Sequence, residues 1–404
     1  MMKRWNMRLM TRLLVLMFTL ASVSALAIQP DFHIGGGVGV ARYGDDFYLS
    51  TSVYPDIHVG KLGLGLELTL NIGPEGIRAQ DWDTLGKVLG RSVRYVRWAH
   101  KGDPLYLLFG TLYNAEIGTG ILVGNYTNLS PTDTGSGIRR LGLVADVDMG
   151  LGGIESLVSD TLASGVHAVR LYVRPASFGQ RMSAMNALTL GVSMARDGRG
   201  GYPYNELSAV AVDAYHPLHP MLELYAHAAS IKEHGAGEGV GFRGRIGALR
   251  YRAELRRMDA GFVPTPFSKG YEGGGIDWSK YPADGPPTVG YLAGAEVTLL
   301  GGGITGSVQH EVNKAAGSSR PRLTAVLAVQ GPGLRAITGR ESQLRATYTQ
   351  ESAALESSDL YRHLGAQARV AIVHGVDLNY SYDVVFPYGE EPQRAFSMGV
   401  SFGK

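Results

Sequence analysis

The sequence predicts an all-β fold, a transmembrane antiparallel β-barrel of about 16–20 strands with long extracellular loops and short periplasmic turns. Three observations predict it. Apolar and polar residues alternate with period two along most of the chain. Beyond the first few dozen positions, no stretch approaches the roughly 20 apolar residues of a spanning helix. The composition is rich in glycine, with 56 residues, and the mean hydropathy of -0.02 is near neutral.

The first segment has its own explanation. Lys3, Arg4, Arg8 and Arg12 form a basic head, Leu13 to Leu20 is almost wholly apolar, and Ala25-Leu26-Ala27 offers a small-x-small cleavage site. This layout predicts a secretory signal peptide over 1–27 and a single barrel over 28–404. Removing it takes four basic residues, leaving 34 Lys and Arg against 36 Asp and Glu. That balance gives no support to nucleic-acid binding. The absence of cysteine excludes disulfides, a lipid-modified amino-terminal Cys and thiolate metal sites. An exported chain of this kind relies on paired strands for stability.

The alternation is explicit near the carboxy terminus. Phe396, Met398, Val400 and Phe402 share one face, and Ser397, Gly399 and Ser401 the other. Upstream, Val376, Leu378, Tyr380, Tyr382 and Val384 oppose Asp377, Asn379, Ser381 and Asp383. Similar patterns run through 141–148, 169–174 and 222–228. The apolar face is often Ala, Val or Gly, and the strands are too many for one sandwich.

With both termini on the periplasmic side, the long connections fall on the outer side: 73–92, 112–137, 196–205, 259–287, 313–321, 351–362 and 385–394. The inner set is short, including Gly60-Lys61, His100 to Asp103, Met149 to Leu151, Pro217 to Pro220, Leu300 to Gly303 and His374-Gly375, with 175–184 and 331–339 as longer exceptions. Aromatic residues near strand ends (Phe47, Tyr48, Tyr54, Tyr202, Tyr204, Tyr215, Phe386 and Tyr388) suit interfacial girdles or ordinary turn-flanking roles.

The polar faces carry the charge. Arg170, Arg174, Arg243, Arg245, Arg250, Arg252, Arg256 and Arg369 are matched by carboxylates that include Asp146, Asp148, Asp213, Glu223, Glu254, Glu296, Glu311, Asp377 and Asp383. Such ladders set an ion-selective field or simply pair neighbouring strands. The pathway candidates are Arg170, Arg174, Arg243, Arg245, Arg250, Arg252, Arg256, Asp146 and Asp148, and Arg243 to Arg256 is the best single region for an anionic solute.

Two loops are candidates for constriction. In 112–137, Ile121-Leu122-Val123 is an apolar run that folding into the lumen would bury. The segment 259–287, with Pro264, Pro266, Trp278 and Tyr281, reads as an exposed lid or adhesive surface loop. Asp81 to Leu89 predicts a short helix capped by Asp81 or Asp83.

Enzyme signatures are poor: there is no nucleophile elbow, paired zinc-type histidines or phosphate loop. His100-Lys101-Gly102-Asp103 is first of all good turn chemistry. The triplets Gly35–Gly37, Gly273–Gly275 and Gly301–Gly303 lack the strand-then-helix setting of a dinucleotide site. The expectation is a protein that is not an enzyme and takes no cofactor.

The run Val93-Arg94-Tyr95-Val96-Arg97-Trp98-Ala99-His100-Lys101-Gly102-Asp103-Pro104-Leu105-Tyr106, with Phe109-Gly110-Thr111-Leu112, resembles a family of spirochaetal outer-membrane β-barrel proteins. Arg140-Leu141-Gly142-Leu143 and Leu171-Tyr172-Val173-Arg174-Pro175 look similar too, so the resemblance covers roughly 60–180. It implies a membrane barrel and carries no functional residue. The carboxy terminus departs from the usual assembly signal, because Phe402 is followed by Gly403 and Lys404.

Together these features predict a bacterial outer-membrane, porin-like channel or passive solute transporter with a charged lumen. The alternative is a surface-exposed adhesin or structural barrel with a closed lumen. The expected partners are outer-membrane lipid, the barrel-assembly machinery, small solutes, and host or surface ligands of the outer loops.

Overall fold

The computed structural model describes residues 31–43, 46–129, 139–175, 187–199, 206–273, 275–276, 278, 281, 284–300, 303–315, 318–330, 342–352, 360–373, 376–386 and 391–403. The signal-peptide segment, Tyr202, Tyr204, Tyr388 and His374-Gly375 lie outside these residues.

Alternating side chains form one antiparallel sheet that closes on itself. The first quarter of the wall holds β1 (Asp31–Tyr43), β2 (Asp46–Val59), β3 (Leu62–Leu66), β4 (Leu68–Gly73), β5 (Gly76–Ile77), β6 (Val93–Trp98) and β7 (Leu105–Gly110). The middle holds β8 (Gly142–Asp148), β9 (Gly152–Val158), β10 (Val166–Val173), β11 (Thr189–Asp197), β12 (Leu207–His219), β13 (Leu222–Ile231), β14 (Gly235–Ile246) and β15 (Leu249–Met258). The wall is completed by β16 (Thr288–Leu299), β17 (Ile304–Ala315), β18 (Ser318–Gln330), β19 (Ser342–Ser352), β20 (Leu360–Val373), β21 (Val376–Phe386) and β22 (Gln393–Gly403).

From β6 onward each strand pairs with the next, β6 pairs back to β3, and β1 pairs with both β2 and β22, with Gly35 opposite Gly403 and Val38 opposite Val400. β3 and β4 are two halves of one stave along β2, interrupted at Glu67, and β5 is a short arm on β4. The wall therefore has twenty staves among the described residues, the upper end of the predicted range. Pairing of β1 with β22 removes the terminal edges of the sheet, so the backbone polar groups of the paired staves are satisfied without water.

Register fixes which face is which. On β10, buried Ala168, Arg170 and Tyr172 alternate with exposed Val169, Leu171 and Val173. The exposed set continues around the exterior as Val192, Val212, Val240, Leu255, Val289 and Leu327. An apolar outside and a polar inside is the inverse of a soluble sandwich, and is the pattern of a lipid-facing barrel. Among the described residues no helix is long and apolar enough to cross a membrane.

Three expectations need correction. The predicted loop 313–321 is almost entirely strand, since β17 runs to Ala315 and β18 starts at Ser318. Helix α1 (Leu85–Ser92) is capped by Thr84, whose hydroxyl accepts from Lys87 N at 3.3 Å, and not by Asp81 or Asp83. Asp81 is instead buried against Arg78, Arg91 and Asn71, while Asp83 pairs with Lys87. Tyr48 and Tyr215 are not girdle residues: both lie near lumen arginines, Arg78 over Tyr48 at 5.8 Å and Arg170 over Tyr215 at 5.5 Å. Phe47 and Phe386 do face outward and are exposed.

Candidate functional site

The lumen is built from two unequal halves. In one, the loop after β7 turns back into the barrel as a hairpin. Ala115 and Tyr126 exchange backbone hydrogen bonds of 2.9 Å, and Ile117 N donates to Val123 O at 3.1 Å. Gly118 and Gly120 take φ of +59° and +81° at its tip, a backbone region that glycine enters without steric cost. Ile121, Leu122 and Val123 are buried, as the sequence predicts for an inward fold. Fully buried Asn128 ties the base, accepting from Leu112 N at 2.8 Å and donating to Arg140 O and Ser159 O.

The loop after β15 joins this hairpin. Thr265 N donates to Ile121 O at 2.8 Å, Phe267 N to Leu122 O at 3.1 Å, and Gly124 N to Phe267 O at 3.2 Å. Phe262, Phe267, Tyr271 and Glu272 are buried. The expectation of an exposed lid or adhesive loop thus fails for 262–272, because these side chains complete a core inside the barrel. Their partners are inward-facing Val144, Leu157, Ala168, Ala195, Ala209, Ala211, Ala229 and Ile231. The two loops form a folded plug on the inner wall of β8–β15.

Charged side chains lock the plug. Glu272 is buried and accepts from Tyr126 Oη, Arg140 and Arg199, and Arg199 also reaches Asp197 at 2.7 Å. Tyr271 Oη donates to Asp197 at 2.7 Å. Lower in the lumen, Gly118 N donates to Glu155 at 2.8 Å, and Thr119 Oγ1 shares a 2.9 Å hydrogen bond with His227 Nδ1. Lys101 reaches the Glu116 carbonyl at 2.8 Å from the His100–Asp103 turn. That turn is closed by Asp103 N donating to His100 O at 3.0 Å, which is the role its sequence suggests.

The predicted pathway residues divide accordingly. Arg170 is fully enclosed, binds Asp213 through two hydrogen bonds of 2.6 and 2.8 Å, and lies 3.5 Å from Glu155. A solute cannot reach it while the plug is in place. Asp146 is nearly as enclosed and is held by Lys101 at 3.2 Å. Arg256 is also buried, between Glu254 and, at 2.7 Å, Glu311. Arg174 and Asp148 make a two-pronged pair of 2.7 and 2.8 Å near the Met149–Leu151 turn. Arg243 bridges Glu223 at 2.6 Å and Glu116 of the plug at 3.2 Å. Arg252 pairs with Glu254 at 2.7 Å and bonds Tyr225 Oη at 2.8 Å.

Register sets Arg243 opposite Arg252, and Arg245 opposite Arg250. Opposed like charges destabilise a sheet unless counter-charges intervene. Arg250 has Glu296 at 3.2 Å, but Arg245 has only the Gly247 carbonyl, with no carboxylate partner among the described residues. The predicted Arg243–Arg256 region is thus one continuous cluster, buried at Arg256 and exposed toward Arg245 and Arg250.

The other half of the lumen is solvated. Inward positions on β18–β22 include exposed Arg322, Gln343, Arg345, Gln367, Arg369 and Ser397. Arg369 pairs with Asp377, and His363 lies 3.2 Å from Asp383. Beside them, across the β1–β22 closure, β2 and β6 contribute Asp56, His58, Arg94 and Tyr95, joined by a 3.0 Å His58–Tyr95 hydrogen bond and an Arg94–Asp56 pair. The interior is therefore a plugged side and a polar crescent that water can fill.

Sequence reasoning missed the plug anchors Tyr126, Asn128, Asp197, Arg199, His227 and Glu272. No local spacing could signal them, because the Arg140–Glu272 contact spans 132 residues. On the loop side the hint was the apolar run after β7.

No protein-family model and no curated protein matches this chain. Solved structures to which it is similar include OccK3 (OpdO) of Pseudomonas aeruginosa, at 9% identity and a TM-score of 0.41, covering 93% of this chain and 96% of that one. The outer membrane protein OpdK of the same organism has 10% identity and a TM-score of 0.39, covering 93% and 98%. Wzi of Escherichia coli, described as an outer membrane protein of group 1 capsule assembly and a carbohydrate-binding β-barrel, has 11% identity and a TM-score of 0.39, covering 96% and 86%.

Proposed function

We propose that the chain is a porin-like channel of a bacterial outer membrane, a passive conduit for small solutes and not an enzyme. The observation that carries this reading is the contrast inside the barrel. Most inward residues of β8–β13 are sealed under the plug, whereas those of β18–β22 are mostly polar or charged and many are exposed to the lumen. A barrel whose only task was structural would have no need of a solvated crescent lined by Arg345, Gln367 and Arg369. Charges here cost little because they face water, and they bias which ions enter. Arg243, Arg245, Arg250 and Arg252 form the part of the predicted pathway that solutes would meet, and their guanidinium groups favour anionic solutes. Arg174 and Asp148 flank it; Arg170, Arg256 and Asp146 act from behind as supports.

The plug supports a second reading, a barrel held closed whose outer loops bind a surface partner. One experiment separates them. The chain spanning 28–404 is refolded and its conductance recorded in a planar bilayer at two salt concentrations. Stable steps, with an anion preference that Arg243→Ala and Arg252→Ala reduce, support the channel. An inserted, folded barrel without conductance overturns it in favour of the closed barrel.

A further inference from the structure

One concavity of the described residues lies outside the lumen. A groove of about 1040 Å³ crosses the exterior of β10–β16. Its floor is small, at Ala214, Ala226 and Ala228, and its walls are Leu171, Val192, Val240 and Leu255. The walls are among the most exposed apolar residues of the chain, with Leu255 at 66%. In a membrane this surface faces acyl chains, so an apolar dent there holds hydrocarbon and not water.

One end of the groove is marked by charge. Glu238 sits directly opposite Arg257 across β14 and β15, and the two side chains make a loose, exposed pair at 3.8 Å. Arg257 is followed outward along the same row by Val289 and then Lys314, whose side chain is exposed. Arg257 and Lys314 each stand one residue from the end of their strands, at the rim opposite the chain termini. Outward charges are costly at the bilayer midplane and nearly free near its interfaces. Their placement therefore marks the headgroup level, with two cations against one carboxylate.

We infer that this groove is a binding site for a phosphate-bearing anionic diacyl lipid, its headgroup at Arg257 and Lys314 and its chains over Ala214, Ala226 and Ala228. A second copy of the chain fits poorly. A two-fold interface must be self-complementary, and two dents facing each other enclose a void. The inference uses only the membrane-spanning wall, so it stands whether or not the lumen conducts.

The test uses the intact protein purified in mild detergent and native mass spectrometry with dioleoyl phosphatidylglycerol or dioleoyl phosphatidylcholine. The expected result is one retained phosphatidylglycerol, at least tenfold preferred over phosphatidylcholine. Arg257→Gln with Lys314→Gln should abolish the preference, and Ala228→Phe should displace the lipid, while Leu364→Phe on the outer face of remote β20 changes neither. Heat-modifiable gel mobility verifies folding, and the two glutamine changes, being at the surface, keep the test decisive if Ala228→Phe misfolds. Equal retention of both lipids by all folded variants overturns the site. So does a dimer that Ala228→Phe makes monomeric, which would place a second copy in the groove.

Discussion

Phe267→Ala is the sharpest probe of whether the plug governs the channel. Phe267 is fully buried, packs edge-on against Tyr271 with ring centroids 4.9 Å apart, and lies in the cluster that includes Leu122 and Val123. Removing such a ring costs about 3–5 kcal/mol. The backbone bonds between Phe267, Leu122 and Gly124 survive the change, and so does the wall, whose ladders do not depend on this side chain. The loss therefore falls on docking of the plug. At about 1.4 kcal/mol per tenfold, the undocked fraction should rise by roughly two to three powers of ten. Single-channel recording should show long residence in a wider state, and protease should cut within 259–273. Val289→Ala, on the exposed outer face, is the control expected to change neither. A Phe267→Ala channel with unchanged conductance and unchanged protease resistance would refute a plug held by its apolar core.

Further perturbations separate the supports of the wall from those of the plug. Asp213→Ala strands the enclosed Arg170 and should cost about 3–5 kcal/mol in denaturant unfolding from micelles, whereas replacing both partners by Leu or Met should recover most of it. Thr119→Val removes the hydrogen bond to buried His227 and should cost about 1–3 kcal/mol of plug docking, read as more frequent openings in bilayer recordings. At the plug rim, His234 stacks on Trp278 at 3.4 Å, and burial pushes its pKa below the ordinary 6.5 although Glu233 opposes the shift. A base with a depressed folded pKa stabilises the docked form fully above 6.5 and loses that contribution as pH falls through the window beneath it. Trp278 fluorescence should report loosening over that range, and His234→Phe should flatten the response.

The wall was legible because its signal is local and repeated. Alternation at 376–384 or 396–402 states, residue by residue, which side chain meets lipid, and β21 and β22 follow it without a slip. The turn chemistry of His100 to Asp103 was equally local. The closing register of Gly35 on Gly403 could not be read, since it depends on the stagger accumulated around the whole ring. Nor could the division of the lumen arginines. Arg170 and Arg369 share the same alternating setting, yet one is enclosed and the other solvated, because only Arg170 lies under the tip of the hairpin that follows β7.

One clue to that division lay in plain view. A strand that separates lipid from water needs only one apolar face, so apolar residues on the second face signify a second apolar contact. The strands β8–β13 place Val144, Leu157, Ala168, Ala195, Ala209, Ala211, Ala229 and Ile231 inward, while β19–β22 place Gln343, Arg345, Gln367, Asn379 and Ser397 there. The first group can be stable only if something apolar from the same chain covers it, and the described loop segments with enough buried apolar side chains are those at Ile117–Val123 and Phe262–Tyr271. The plug is thus written twice, once in the loops and once in the inner faces that receive them. Substituting the receiving face tests the reciprocity: Ala211→Asp should expel the plug as effectively as Phe267→Ala, through an unpaired carboxylate against Ile121 and its neighbours, and leave the outer apolar belt intact.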